Sequence, residues 1–321
     1  MMALMREMPA GGPDDWIVAR IRARRALLVD NWDELLLARI PPESLPPAPW
    51  RSGSVTGPFG GRRTLQREYA WVFRRMDKPQ RRLLLPPFWL AELRTLAICL
   101  RRRIGGLAAD GEMLRESLLG DRVRRALVEP PDGASAVAAL TEVLSPHDSA
   151  FGRLPAAFRN GGGAALEGAL YDISLEHFAA AATDAAMARY LELLIDRRNL
   201  VGLAKHLYWR LAAPPPFLEG GRCAPALLAR LFSHGDTGGI APLVARLGGQ
   251  CRDAGPGEVE RGMLEALGRA LRRLGREPEG IGPILDYLWR CARECRNIGL
   301  LARLAPAGDA DAGDVGDEIV R

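Results

Sequence analysis

The stretch LELLIDRRNLVGLAKHLYWRL, residues 191–211, decides the fold, because a version of it occurs three times in the chain. With the acid as position 0, the copies begin at Glu92, Asp196 and Glu294. Each has arginine at +2 (Arg94, Arg198, Arg296) and threonine or asparagine at +3 (Thr95, Asn199, Asn297). Each has leucine or isoleucine at +4 (Leu96, Leu200, Ile298) and a base at +9 (Arg101, Lys205, Arg303). The near-equal spacing of the acids makes the repeating unit about a hundred residues long. A motif matching three times without a gap predicts a triplicated fold.

Positions 0, +3, +4 and +8 fall on one stripe of a 3.6-residue period, so the motif is helical. That stripe holds an acid and an amide or hydroxyl among apolar residues. Burying them is costly unless they are hydrogen-bonded. The arginine at +2 points elsewhere on its own helix, which puts its partner on a neighbouring one. Two readings follow: a polar clasp that fixes helix packing in each repeat, or a functional surface. Nothing in the motif resembles a catalytic constellation.

The rest of the chain reads as helices separated by glycine and proline. Helical runs are expected at 14–28, 31–40, 65–76, 80–85 and 88–104, the last opened by Pro86-Pro87 and ended by Gly105-Gly106. Further runs are expected at 113–119, 123–128, 135–144 and 166–181, then a long motif helix from Asp184 to about Ala213 with Thr183 as its cap. The third unit gives 224–232, 240–247, 258–274 and 284–304. Residues 41–61 read as a loop and 159–164 as a flexible break. No period-2 strand pattern occurs, so the fold is expected to be all-α. The divisions expected are a flexible N-terminus at 1–13, helical repeats at 14–110, 111–213 and 214–305, and a disordered acidic tail at 306–321.

Composition narrows the function classes. The formal charge of +5 comes almost wholly from arginine, Lys78 and Lys205 being the only lysines. The arginines are spread along many helices with acids among them, whereas a nucleic-acid surface would cluster them. The GPFGG at 57–61 lacks the spacing and lysine of a phosphate loop. Cys291 and Cys295 stand i,i+4 on one helix, but nothing nearby completes a metal site, and they read as two small core residues. The other cysteines form no CxxC pair, and the four histidines are scattered. No cofactor is therefore expected. No uncharged apolar run reaches the roughly 18 residues of a spanning helix, so the chain is expected to be soluble or peripheral.

Three stretches carry a family resemblance: VARIRARRALL at 18–28, LLIDRRNLVGLAK at 193–205, and PILDYLWRCARECRNIGLLAR at 283–303. Together they resemble the C-subunit family of the V/A-type rotary ATPases and ATP synthases, whose counterpart in the eukaryotic vacuolar enzymes is the d-subunit, over roughly residues 14–305. The departures are Thr95, where the pattern prefers asparagine, the Gly/Pro loop at 41–61 and both termini. The resemblance implies a non-catalytic rotor component made of three similar helical domains in a pseudo-threefold funnel. It implies central-shaft subunits and the membrane proteolipid ring as partners, no nucleic acid, no direct small-molecule substrate, and a peripheral place on the cytoplasmic face of the membrane. It also implies that the motif residues mainly hold the domains' helices together. A protein-binding scaffold unrelated to rotary motors is the competing class, although solenoid repeats usually run about 20–50 residues. An all-helical enzyme is a third, and it lacks convergent acids, bases or ligands.

Overall fold

The computed structural model describes residues 1–9, 11–12, 14–37, 44–45, 48, 51 and 60–304. The described residues are helical with no strand; Met5 and Leu119 form an isolated antiparallel bridge. Most of the loop expected at 41–61 and the tail at 306–321 lie outside the described residues. The helices are α1 (Asp14–Arg25), α2 (Trp32–Leu37), α3 (Gly60–Arg75), α4 (Lys78–Leu83), α5 (Leu85–Ile104), α6 (Gly111–Glu116) and α7 (Asp121–Val128). They continue with α8 (Gly133–Leu144), α9 (Leu154–Ala181), α10 (Ala185–Tyr208), α11 (Pro225–Ser233), α12 (Ile240–Leu247), α13 (Pro256–Leu274) and α14 (Gly282–Leu304). The chain divides into two compact units, one of Met1–Ile17 with Gln66–Ala181 and one of Val18–Leu65 with Ala182–Arg321.

In the first unit α5 packs against α8 and α9. Its start is aromatic: Phe88 meets Phe73 and Tyr69 edge-on, with ring centroids 5.1 and 5.7 Å apart. The buried Trp89 donates its indole N–H to Ser174 Oγ at 3.0 Å, meeting the rule that a buried indole needs a partner. The N-terminal residues are tied into this unit. The Leu4 carbonyl accepts from Gly120 N, Arg6 N donates to the Leu118 carbonyl, and the Arg81 guanidinium donates to the Met8 carbonyl at 2.8 Å.

The second unit is built on α10, α13 and α14, with α13 packed against both of the others. On α13, Val259, Met263, Leu267 and Leu271 are fully or almost fully buried, the stripe of an amphipathic helix. Close approach is enforced at Gly262, where a Cβ would collide with the Gln250 carbonyl oxygen.

Four local expectations are corrected. Gly60 and Gly61 form the first turn of α3 instead of ending the loop, where N–H groups lack intrahelical partners in any case. The break expected at 159–164 is a two-residue kink at Gly161 (φ −145°, ψ 17°) and Gly162 (φ 63°, ψ −154°), inside a run that is helical on both sides. Asp184, not Thr183, caps α10, accepting from Met187 N at 2.9 Å. That helix ends at Tyr208 rather than Ala213.

Candidate functional site

The three motif acids lie on α5, α10 and α14, all buried and all accepting hydrogen bonds from main-chain N–H groups. Glu92 accepts from Leu118 N and Ser117 Oγ, both at 2.7 Å. Asp196 accepts from Cys223 N at 2.9 Å and Arg222 N at 3.1 Å. Glu294 accepts from Val29 N at 3.0 Å and pairs with the Arg51 guanidinium.

These contacts share one logic. In each case the donors sit within a few residues of a following short helix: α7 after Leu118, α11 after Cys223, α2 after Val29. Leu118 lies 26 residues beyond its acid and Cys223 lies 27 beyond. Val29 lies 265 residues before Glu294. The third acid therefore takes its donor from the N-terminal segment of the same unit.

The +3 residues diverge. Asn199 makes a reciprocal pair with Leu218, donating Nδ2 to its carbonyl at 2.8 Å and accepting its N–H at 2.9 Å. Thr95 instead accepts from Gln66 Nε2 at 2.7 Å. Asn297 is buried on α14. Arg94 is exposed, while Arg198 and Arg296 are half-buried. Arg296 approaches Glu260 on α13 at 3.8 Å, and Arg197 reaches the same carboxylate from α10 at 2.5 Å. Burial pushes Glu260 up, but Arg197, Arg296 and Lys205 outweigh it and hold the carboxyl below its usual value.

Asp196 behaves differently. Burial raises its pKa above the ordinary carboxylate value, against the pull of the Cys223 and Arg222 amides. The loop is moulded to it: a Cβ at Gly221 would stand 2.5 Å from Asp196 Oδ1. In each case a buried carboxylate on a long helix is tied to the main chain of a loop. Among the described residues no group of three His, Cys, Asp or Glu side chains is placed to hold a metal ion. Cys291 is buried and Cys295 half-buried, both as free thiols.

The arginine-rich opening helix and the last helix meet within the second unit. Arg25 pairs with buried Asp286 on α14 at 2.8 Å, and Arg24 Nε donates to Tyr287 Oη at 3.3 Å. Arg22 donates to the Pro278 carbonyl just before α14. Two of the three stretches that carry the resemblance are thus each other's hydrogen-bond partners. Comparison with protein families matches residues 62–312, most of the chain, to the family described as ATP synthase (C/AC39) subunit.

The chain belongs to the ATP synthase (C/AC39) subunit family.

A search of curated proteins returned no match. The match in this family covers all three copies of the motif. Membership makes the chain a V/A-type ATP synthase subunit working within a rotary ATPase complex. Among the described residues no helix is long and apolar enough to cross a membrane.

The acids are legible in the sequence, but their partners are not. Ser117, Arg222 and Val29 share no side-chain chemistry, because most of the bonds run to N–H groups that every non-proline residue carries. A second feature is equally hidden. Helices α5 and α10 end identically: the N–H groups at +13, +14 and +15 donate to the carbonyls at +9, +11 and +10. This is the left-handed C-terminal closure. The +14 position is Gly106 (φ 75°) on α5 and Arg210 (φ 51°) on α10. Counted from the acid, glycine at +14 of the first copy was the available signal.

Proposed function

We propose that this chain is the non-catalytic central-stalk component that couples the shaft of a V/A-type rotary ATPase to its membrane proteolipid ring. On this reading three helical repeats, at 14–110, 111–213 and 214–305, form a pseudo-threefold funnel on the cytoplasmic face of the membrane. The observation that carries it is the Glu294 clasp on Val29. It completes the set begun by Glu92 on Leu118 and Asp196 on Cys223, with the last repeat supplying the acid and the N-terminal segment the donor. A closed set of three equivalent clasps suits a body that passes torque, because each repeat start is fixed to the motif helix before it. Buried, loop-holding acids agree with a coupling part that does no chemistry of its own. The motif residues Glu92, Arg94, Thr95, Asp196, Arg198, Asn199, Glu294, Arg296 and Asn297 then have a structural role.

The test is reconstitution with purified shaft subunits and proteolipid ring from the host. Binding to both at once supports coupling. Binding to neither, with the protein folded, removes the proposal and leaves a helical scaffold of another kind.

A further inference from the structure

The end of α10 leaves large apolar side chains in water. Tyr208 is 66% exposed, Trp209 59% and Leu211 45%, in one run of four residues. The Tyr208 and Trp209 rings meet edge-on at 6.3 Å. Arg210, the next residue, adopts φ 51°, the only non-glycine positive φ among the described residues. The equivalent place on α5 holds Gly106, the residue such a closure prefers. The second copy thus tolerates a strained backbone and keeps a cation at the tip. Strain of this kind persists where the surroundings enforce it and is concentrated at functional positions.

The surroundings do enforce it. Trp209 N donates to the Lys205 carbonyl, Arg210 N to that of Leu207 and Leu211 N to that of His206. The His206 ring nitrogen Nδ1 lies 2.9 Å from the Ala213 carbonyl, and the ring packs edge-on to Phe232. The knuckle is therefore held in place by its backbone and exposed at its side chains. Along the chain the charge here has one sign: between Asp196 and Glu219 the sequence contains no acid, while Lys205 and Arg210 are exposed cations, and the nearest acid on the adjoining α11 end is Asp236, four residues beyond Phe232. Lys205 feels the Glu260 carboxylate from within the unit. Among the described residues, no hydrogen bond or ion pair engages the Arg210 side chain.

We infer that the Tyr208–Trp209–Arg210–Leu211 knuckle inserts into the headgroup layer of an anionic lipid bilayer. Tryptophan and tyrosine flanked by Lys and Arg are the side chains of membrane–water interfaces, where an apolar ring and a polar edge are both satisfied. Four exposed residues alone are too few for a stable protein interface, which covers about 800 Å² per partner, but they suit shallow insertion aided by charge. Its partition is weak in isolation and adds to whatever else holds the chain at the membrane. Insertion of this tip does not depend on the coupling role.

The experiment is co-sedimentation of the full chain with vesicles of phosphatidylcholine alone and of phosphatidylcholine with phosphatidylglycerol. The wild type is expected to bind the anionic vesicles and to be released by salt. Trp209→Ser, at an exposed site, should keep its melting temperature and lose most of the bound fraction. Arg210→Gly should melt higher than wild type yet bind about fivefold more weakly, the loss of one cation near a charged surface. Equal binding to neutral vesicles contradicts the charge argument. Wild-type binding by either variant, or no vesicle binding by wild type, overturns the inference. Trp209-dependent binding to purified shaft subunits in the absence of lipid would assign the knuckle to a protein partner and overturn it as well.

Discussion

Asp196→Ala tests the clasp most sharply. The carboxylate is fully buried and satisfies two main-chain donors, Cys223 N at 2.9 Å and Arg222 N at 3.1 Å. A buried donor left without a partner costs about 1–3 kcal/mol. Cys223 is buried and carries the full penalty, whereas Arg222 is exposed and its N–H can be partly rehydrated. The substitution also removes the cost of burying the charge, which is what raises the Asp196 pKa. The balance is a loss of about 2–3 kcal/mol in the second unit, from one penalty in full, part of another, and a partial offset. Asp196→Asn keeps one acceptor and turns an NH2 group toward the other donor, so its expected cost is about 1–2 kcal/mol. Urea unfolding followed by circular dichroism gives both values. Arg94→Ala serves as the control, since Arg94 is exposed and expected to lie within about 0.5 kcal/mol of wild type. A loss below about 0.5 kcal/mol for Asp196→Ala would refute the clasp, because surface substitutions reach that much.

Other expectations follow from the same geometry. Gly221→Ala should cost about 1–3 kcal/mol, because its Cβ meets Asp196 Oδ1 at 2.5 Å and Ile195 Cγ2 at 3.1 Å, and a matching fall in melting temperature checks it. Glu294→Ala strands the buried Arg51 guanidinium as well as Val29 N, so a loss of about 3–5 kcal/mol is expected; a double-mutant cycle with Arg51→Met should recover part of it. Arg210→Gly should stabilise by about 1 kcal/mol in thermal unfolding, through relief of the left-handed backbone. Glu258 is held below its usual 4.5, first by the Arg261 side chain and then by the Arg252 N–H against an opposing effect of burial. Its contribution relative to Glu258→Gln is present above pH 4.5 and should vanish as pH falls through the folded value. Asp196 is displaced the other way, so its advantage over Asn should be largest below pH 3.8 and shrink as pH rises through the folded value; stability measured across acidic to neutral pH reads both.

What the sequence disclosed, it disclosed through periodicity. The stripe of acid, Asn or Thr and Leu puts Glu92, Asp196 and Glu294 on buried helix faces, and the glycines at 105–106 close α5. The all-helical class follows from the same pattern. The clasp partners were hidden for a physical reason. A carboxylate that binds main-chain N–H groups leaves no side-chain signature at the donor, and Val29 lies 265 residues from its acceptor. Arg51, the cation that meets Glu294, falls in a stretch that reads only as Gly/Pro loop. Local propensity also misjudged termini: Asp184 competes with Thr183 for the cap of α10 and is the better acceptor. Arg210 is unreadable as a left-handed residue because its type disfavours that backbone, and only alignment with Gly106 between copies of the motif exposes it.

The most direct measurement of the coupling role is recovery of the tagged chain from gently solubilised host membranes, with mass spectrometry of the proteins that accompany it. Shaft subunits, catalytic ATPase subunits and a small proteolipid are expected, with the Trp209→Ser variant recovering the same set. Recovery of soluble proteins alone, with no component of an ATPase among them, would contradict that role.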